Sequence, residues 1–149
     1  MRRRSFLAKL LGLVGVAVLT FLAGVCAYLA TLAVVWRQSI GRELEAILFW
    51  GGMAYGLVGL PLLLIFFSAL GWGWKCLGKN RDTAPLWLFP LGGALLGLAP
   101  VYAILRVWGG GWASLATAEG ILFYSFFGPA GICFGLGWWW LFERRIHKE

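Results

Sequence analysis

The chain has few side chains of the kinds that catalyse reactions or hold metal ions. Its single histidine, His147, lies two residues before the C-terminus and outside every apolar segment. Its three cysteines form no Cys-x-x-Cys pair, and Cys26 and Cys133 lie within apolar runs. Zinc sites and small disulfide frameworks need closely spaced ligands, and no Ser-His-Asp, paired-carboxylate or His-Glu-x-x-His arrangement can be assembled. The sequence therefore predicts a protein that is not an enzyme, with no catalytic residues, no metal and no cofactor.

Charged residues near the ends of apolar segments form the other candidate site. Glu43 and Glu45 precede one apolar segment, Arg106 follows another, and Glu119 precedes the last. In the topology derived below, all four lie on the same, outer side, beside the glycine stretch Gly109–Gly111. They form a possible outer-face polar cluster, although solvation and ordinary charge pairing are the simpler interpretation.

Glycine pairs four residues apart recur in three of the apolar segments. At this spacing, both glycines lie on one face of a helix and allow two helix backbones to approach closely. We therefore predict that these glycines pack helices against one another within the chain, with a dedicated dimer face as the alternative. The pairs are Gly52 and Gly56, Gly93 and Gly97, and Gly131 and Gly135.

Composition and hydropathy indicate that the chain is embedded in a membrane. Hydrophobic residues make up 61% and charged residues 13% of its 149 residues, whereas soluble domains contain about 45–50% apolar and about 25% charged residues. A helix crosses a bilayer with about 20 apolar residues. The charge-free runs predict an all-α, integral membrane four-helix bundle in one domain, residues 1–149, with spans at about 10–36, 46–74, 83–105 and 120–142.

The distribution of basic residues predicts how this bundle is oriented. In the four-span layout, ten of the 13 basic residues and three acidic residues fall on one side, and the other side carries three of each. Cytoplasmic loops are enriched in lysine and arginine. We therefore predict two transmembrane hairpins with both termini cytoplasmic. The ten tryptophans fall near the span ends, as interfacial tryptophans do.

The same charge asymmetry indicates which molecules contact the inner side of the protein. The expected location is a bacterial cell inner membrane, whose anionic headgroups attract the basic residues at the inner face. Nucleic acid is not an expected partner, because the basic segments are too short to form a groove-reading surface. Another membrane protein, or a second copy of the chain, is the expected partner within the bilayer.

The N-terminal segment, and a similarity between the starts of two later segments, each allow more than one interpretation. The charge-free run Leu10 to Trp36 is 27 residues long, longer than the roughly 7–15 apolar residues of a cleaved signal peptide. It therefore predicts an uncleaved anchor, although Arg3-Arg4 resembles a twin-arginine signal. The segments that begin at Glu45 and Glu119 start alike, with Ile-Leu-Phe two residues on. An internal duplication is one explanation, and the shared needs of inward-running helices are the other.

Ionisable residues are absent from the middle of every predicted span, which limits the possible functions. Proton-coupled transport and ion pumping rely on intramembrane acids, bases or histidine. Two prolines carry local predictions: Pro61 predicts a kink and Pro85 a helix start. The sequence favours a non-catalytic accessory subunit, assembly factor or immunity-type protein that acts through helix–helix contacts. A small oligomeric exporter or permeation protein is the alternative.

Overall fold

The computed structural model describes residues 2–37, 41–77, 85–108 and 117–143. These residues form four helices and no strand, so the fold is all-α. Helix α1 is Arg2–Val35 and α3 is Leu88–Trp108. Helix α2 is the unbroken run of Gly41–Ala46, Ile47–Gly51, Gly52–Ala54, Tyr55–Gly59 and Leu60–Leu77. Helix α4 is Ala118–Trp138, continued by a π-helical turn, Trp139–Glu143.

Three of the helices are long and apolar enough to cross a membrane. The candidate spans are Leu7–Val35, Glu43–Leu77 and Gly120–Phe142, with 29, 35 and 23 residues. The apolar part of α3, Leu88–Ala103, is shorter. The prediction that Pro85 begins α3 is wrong. The Leu88 N–H donates to the Pro85 carbonyl at 3.1 Å, which closes a turn ahead of the helix.

Local chemistry explains where the other helices begin and end. The Thr117 side chain accepts a hydrogen bond from the Gly120 N–H at 3.2 Å, which caps the start of α4. Glu43 lies in the first turn of α2, where a carboxylate favours the positive end of the helix dipole. After α1, Arg37 adopts a left-handed conformation with φ of 52°, a conformation that commonly terminates helices.

The predicted disturbance at Pro61 takes the form of a π-helical turn. A proline has no N–H, so the carbonyl four residues earlier, that of Leu57, loses its usual partner. The π-helical turn Tyr55–Gly59 contains this carbonyl, and such turns pair carbonyls with a donor five residues on. A second π-helical turn, Ile47–Gly51, lies one short α-helical turn earlier.

Helix α4 is the centre of the bundle, and it packs mainly against α3 and α1. It runs antiparallel to α1: Gly12 lies against Leu141, while Gly24 lies against Phe126. It also runs antiparallel to α3, as Gly135 against Phe89 and Gly97 against Phe127 show. The end of the bundle that holds the end of α1 and the starts of α2 and α4 is the predicted outer end.

Helix α2 joins the bundle through large aromatic side chains, whereas α3 and α1 pack on α4 at close range. Phe67 of α2 is fully buried, and its ring lies 5.9 Å from Phe89, 5.4 Å from Phe134 and 6.0 Å from Trp138. Trp138 is therefore part of the core, although its position near a span end predicts an interfacial tryptophan.

Candidate functional site

The α3–α4 contact contains four of the glycines that the sequence predicts to pack helices. Gly93 and Gly131 meet backbone to backbone, so a β-carbon on either would collide with the carbonyl of the other. A β-carbon on Gly97 would strike the Phe127 carbonyl, and one on Gly135 would strike the Phe89 carbonyl. We call this contact the glycine seam. The glycine seam occupies the Gly93–Gly97 and Gly131–Gly135 pairs with contacts inside the chain.

The third glycine pair lies on α2 and is not used in this way. A β-carbon on Gly52 would approach only the Phe21 ring, at 3.7 Å, and one on Gly56 would have no described atom within 4 Å. Leu57 and Val58 next to it are 72% and 58% exposed. The structure therefore leaves an exposed apolar stretch around a small residue, Gly56, Leu57 and Val58, which we call the open α2 face.

Spaces lie on both sides of α2 because aromatic rings, and not backbone contacts, attach it to the bundle. A cleft of about 420 Å³ separates it from α1 and is lined by Ala17, Phe21 and Leu64, among others. A cavity of about 280 Å³ separates it from α3 and α4 and is lined by Val58, Leu96 and Ala130, among others. Apart from small polar patches, the described lining of both spaces is apolar.

One interhelical hydrogen bond ties α2 to α1 across this gap. The Tyr55 hydroxyl donates to the Ala17 carbonyl at 3.0 Å, and the Tyr55 ring lies 5.5 Å from Phe21. Tyr55 is buried, and the fully buried Thr20 lies beside its hydroxyl. Tyr55 is thus a polar anchor between α2 and α1.

The predicted outer-face polar cluster is represented in the structure mainly by Glu43. Glu43 lines a cleft of about 330 Å³ between α1, α2 and α4, which we call the outer cleft. Glu45 is exposed and Arg106 lies in the last turn of α3, and neither lines this cleft. Glu119 belongs to the first turn of α4, and its side chain lies outside the described part of the structure.

The outer cleft has an aromatic wall, which the sequence does not predict. Its residues are Tyr28, Trp50, Phe123, Phe126 and Phe127. Two of its residues, Trp50 and Phe123, are largely exposed, while Phe126 is buried behind them. Their separation in the sequence gives no sign of this contact, because α2 and α4 meet here only through the tertiary fold. The sequence feature that could have indicated an aromatic cluster is the presence of aromatic residues after both Glu45 and Glu119.

Groups that bind metals are not gathered anywhere in the described ranges. Among those residues, no set of three His, Cys, Asp or Glu side chains is close enough to hold an ion. The three cysteines, Cys26, Cys76 and Cys133, are free thiols. The candidate functional features are therefore the open α2 face and the spaces around α2.

Comparison with protein-family models, with curated proteins and with solved structures gives no match for this chain.

Proposed function

We propose that this protein is a multi-pass inner-membrane protein that acts by helix–helix contacts, as a non-catalytic accessory subunit, assembly factor or immunity-type factor. The observation that supports this most is the open α2 face. Two of the three predicted glycine pairs are consumed by the glycine seam, whereas Gly56 has open space where a second helix backbone would lie. The proposed partner is a transmembrane helix of another membrane protein.

The physics of association in lipid explains why such a face matters. Lipid tails are as apolar as leucine, so an exposed apolar surface alone gives no drive for two helices to associate. Close packing of backbones over small residues does provide such a drive. The α2 helix has a small residue at Gly56, next to the exposed Leu57 and Val58, and packs on its own bundle through the aromatic cluster around Phe67.

The proposed topology is the two-hairpin arrangement with both termini in the cytoplasm. Its support is the excess of basic residues on the side that carries both termini and the 75–82 segment, within a net charge of +7. These residues would also hold the inner face against anionic headgroups. The antiparallel packing of α4 on α1 and on α3 is consistent with this arrangement.

A photo-crosslinking experiment in membranes tests the open α2 face directly. A photoreactive amino acid at Leu57 is expected to give a discrete protein adduct, and one at the equally lipid-accessible Leu19 of α1 is expected to give none. Leu57 and Leu19 are 72% and 61% exposed. Gly56→Leu should abolish the adduct, because it fills the space that a partner backbone needs.

Gly15→Leu is the matched control, since a β-carbon at Gly15 also has no described atom within 4 Å. It should leave the adduct intact. An adduct that forms equally from both positions, or that Gly15→Leu removes as fully as Gly56→Leu, contradicts the proposal. If the adduct contains a second, differently tagged copy of this chain, the partner is another copy of the chain and not a different membrane protein.

A small oligomeric exporter or permeation protein is the second candidate, and the spaces around α2 favour it. A helix held by side chains between a 420 Å³ cleft and a 280 Å³ cavity has room to shift against the other three. Small shifts of packed helices are a common form of gated movement. Under this alternative, filling the cavity with Ala130→Leu should stop transport while leaving the α2 adduct unchanged.

A further inference from the structure

The outer cleft combines one carboxylate with an aromatic wall. It has a volume of about 330 Å³, and Glu43 is the only charged residue among the described residues that line it. The lining residues with aromatic rings are Tyr28, Trp50, Phe123, Phe126 and Phe127. The described lining contains no basic residue.

This lining selects for the sign of a ligand's charge. A carboxylate in a largely apolar surrounding attracts a cation more strongly than it would in water, because the local dielectric constant is lower. Aromatic faces add to this attraction, since the ring quadrupole is negative above and below the ring plane. The same groups repel an anion, and a neutral molecule gains nothing from Glu43.

The outer cleft also adjoins a second, apolar space. Ala54 and Phe127 line both the outer cleft and the cavity of about 280 Å³ between α2, α3 and α4. The described lining of that cavity presents no polar surface. An apolar cavity of about 150 Å³ already holds a benzene molecule. A ligand with its charge at Glu43 therefore has room for an apolar body next to it.

We propose that the outer cleft binds lipophilic cations, that is, quaternary or protonated amines and phosphonium ions carrying an apolar body. Glu43 pairs with the positive charge, the aromatic wall surrounds it, and the apolar body lies toward the adjoining cavity. The inference does not depend on partner docking at Gly56 and Leu57, because neither residue lines the outer cleft or the adjoining cavity, although Val58 lines that cavity.

Equilibrium dialysis with radiolabelled tetraphenylphosphonium tests this proposal on the full chain in maltoside micelles, which carry no charge. Saturable binding to the wild type is expected. Glu43→Gln keeps the shape of the side chain and removes its charge, and should weaken binding at least ten-fold. Glu45→Gln makes the same change two residues away, outside the cleft, and should change affinity less than two-fold. Triphenylphosphine oxide, an uncharged molecule of similar shape, should compete at least ten-fold more weakly than unlabelled tetraphenylphosphonium.

Several results would overturn the proposal. These are an absence of saturable binding to the wild type, equal losses in Glu43→Gln and Glu45→Gln, or equal competition by the uncharged compound. A thermal melt of each variant shows whether the fold is kept. Since Gly56→Leu leaves the lining unchanged, it should bind the cation like the wild type, which separates this outcome from that of the partner-docking experiment.

Discussion

At the scale of single residues, Tyr55 shows how this chain uses a polar group within an apolar helix. Its hydroxyl reaches the Ala17 carbonyl of α1 at 3.0 Å, and its ring packs in the aromatic core with Phe67. Buried hydroxyls without a partner are costly in a bundle that excludes water. The hydrogen bond satisfies the hydroxyl and fixes how far α2 lies from α1.

Replacing Tyr55 by phenylalanine tests this anchor. Interhelical hydrogen bonds in membranes contribute about 0.6 kcal/mol on average and up to about 1.7 kcal/mol. We expect Tyr55→Phe to lower the free energy of unfolding within that range, measured by unfolding in mixed micelles. Ser125→Ala is the control, because Ser125 donates only to the Leu122 carbonyl of its own helix, at 2.7 Å. A loss as large in Ser125→Ala would mean that the bond to α1 has no special role.

At the scale of the elements, the glycine seam determines which pair of helices can come closest. Gly93 and Gly131 allow α3 and α4 to meet without side chains between them. Nothing at this contact can move aside, because each glycine faces backbone atoms and not the end of a flexible side chain. The α3–α4 contact is therefore the least tolerant of added volume.

Alanine substitutions on α4 separate this effect from helix propensity. Gly131→Ala places a methyl group into the Gly93 carbonyl, and overpacking of this kind costs about 1–3 kcal/mol or more. Gly128→Ala, one turn earlier, meets only the Leu98 side chain at 3.5 Å, an ordinary contact. We expect Gly131→Ala to lower the melting temperature in detergent and Gly128→Ala to leave it equal or higher. Equal melting temperatures for the two variants would show that the seam can open at little cost.

The helices themselves were largely predictable, whereas their contacts were not. Charge-free runs located all four helices, because length and apolar content determine what can form a membrane helix. Helix α3 begins later than Pro85 predicts, because a proline suits both a first helical turn and the turn before it. Helix α4 continues through Pro129, which the uniformly apolar run around it does not reveal.

Which glycine pair is buried depends on information that no single segment contains. The Gly52–Gly56, Gly93–Gly97 and Gly131–Gly135 spacings are alike, yet only the last two meet backbone atoms. The difference is one of tertiary packing, because a β-carbon on Gly56 has no described atom within 4 Å. The outer cleft at Glu43 likewise depends on how α2 lies against α1 and α4, and the charge pattern alone predicts Glu43 only as part of a loose polar group.

At the scale of the whole molecule, α2 carries most of the surfaces and spaces that packing within the bundle leaves open. The open α2 face, the outer cleft and the cavity beside α3 and α4 all border the half of α2 that contains its two π-helical turns. Helices α1 and α3 are fixed closely on α4. The bundle thus consists of a close-packed three-helix part and a more loosely attached α2, which is the part suited to meeting a partner or a ligand.

The proposed orientation of this bundle predicts how its cysteines react. Cys76 lies in the last turn of α2 with its side chain exposed, next to Lys75 and on the side with the basic excess. Cys26 is also exposed, but it lies within the candidate span Leu7–Val35. Thiols react as thiolates, which need water, so a thiol facing lipid reacts poorly with a charged maleimide.

A variant with Cys26 and Cys133 replaced by serine keeps Cys76 as its single thiol. We expect a membrane-impermeant maleimide to label this variant in inverted vesicles and not in intact spheroplasts, because basic residues stay on the cytoplasmic side. The variant Cys76→Ser with Cys133→Ser, which keeps Cys26, should remain unlabelled in both. Labelling of Cys76 in spheroplasts would place the 75–82 segment outside and reverse the proposed orientation. Strong labelling of Cys26 from either side would instead show that α1 borders water there, and that Leu7–Val35 is not a lipid-facing span.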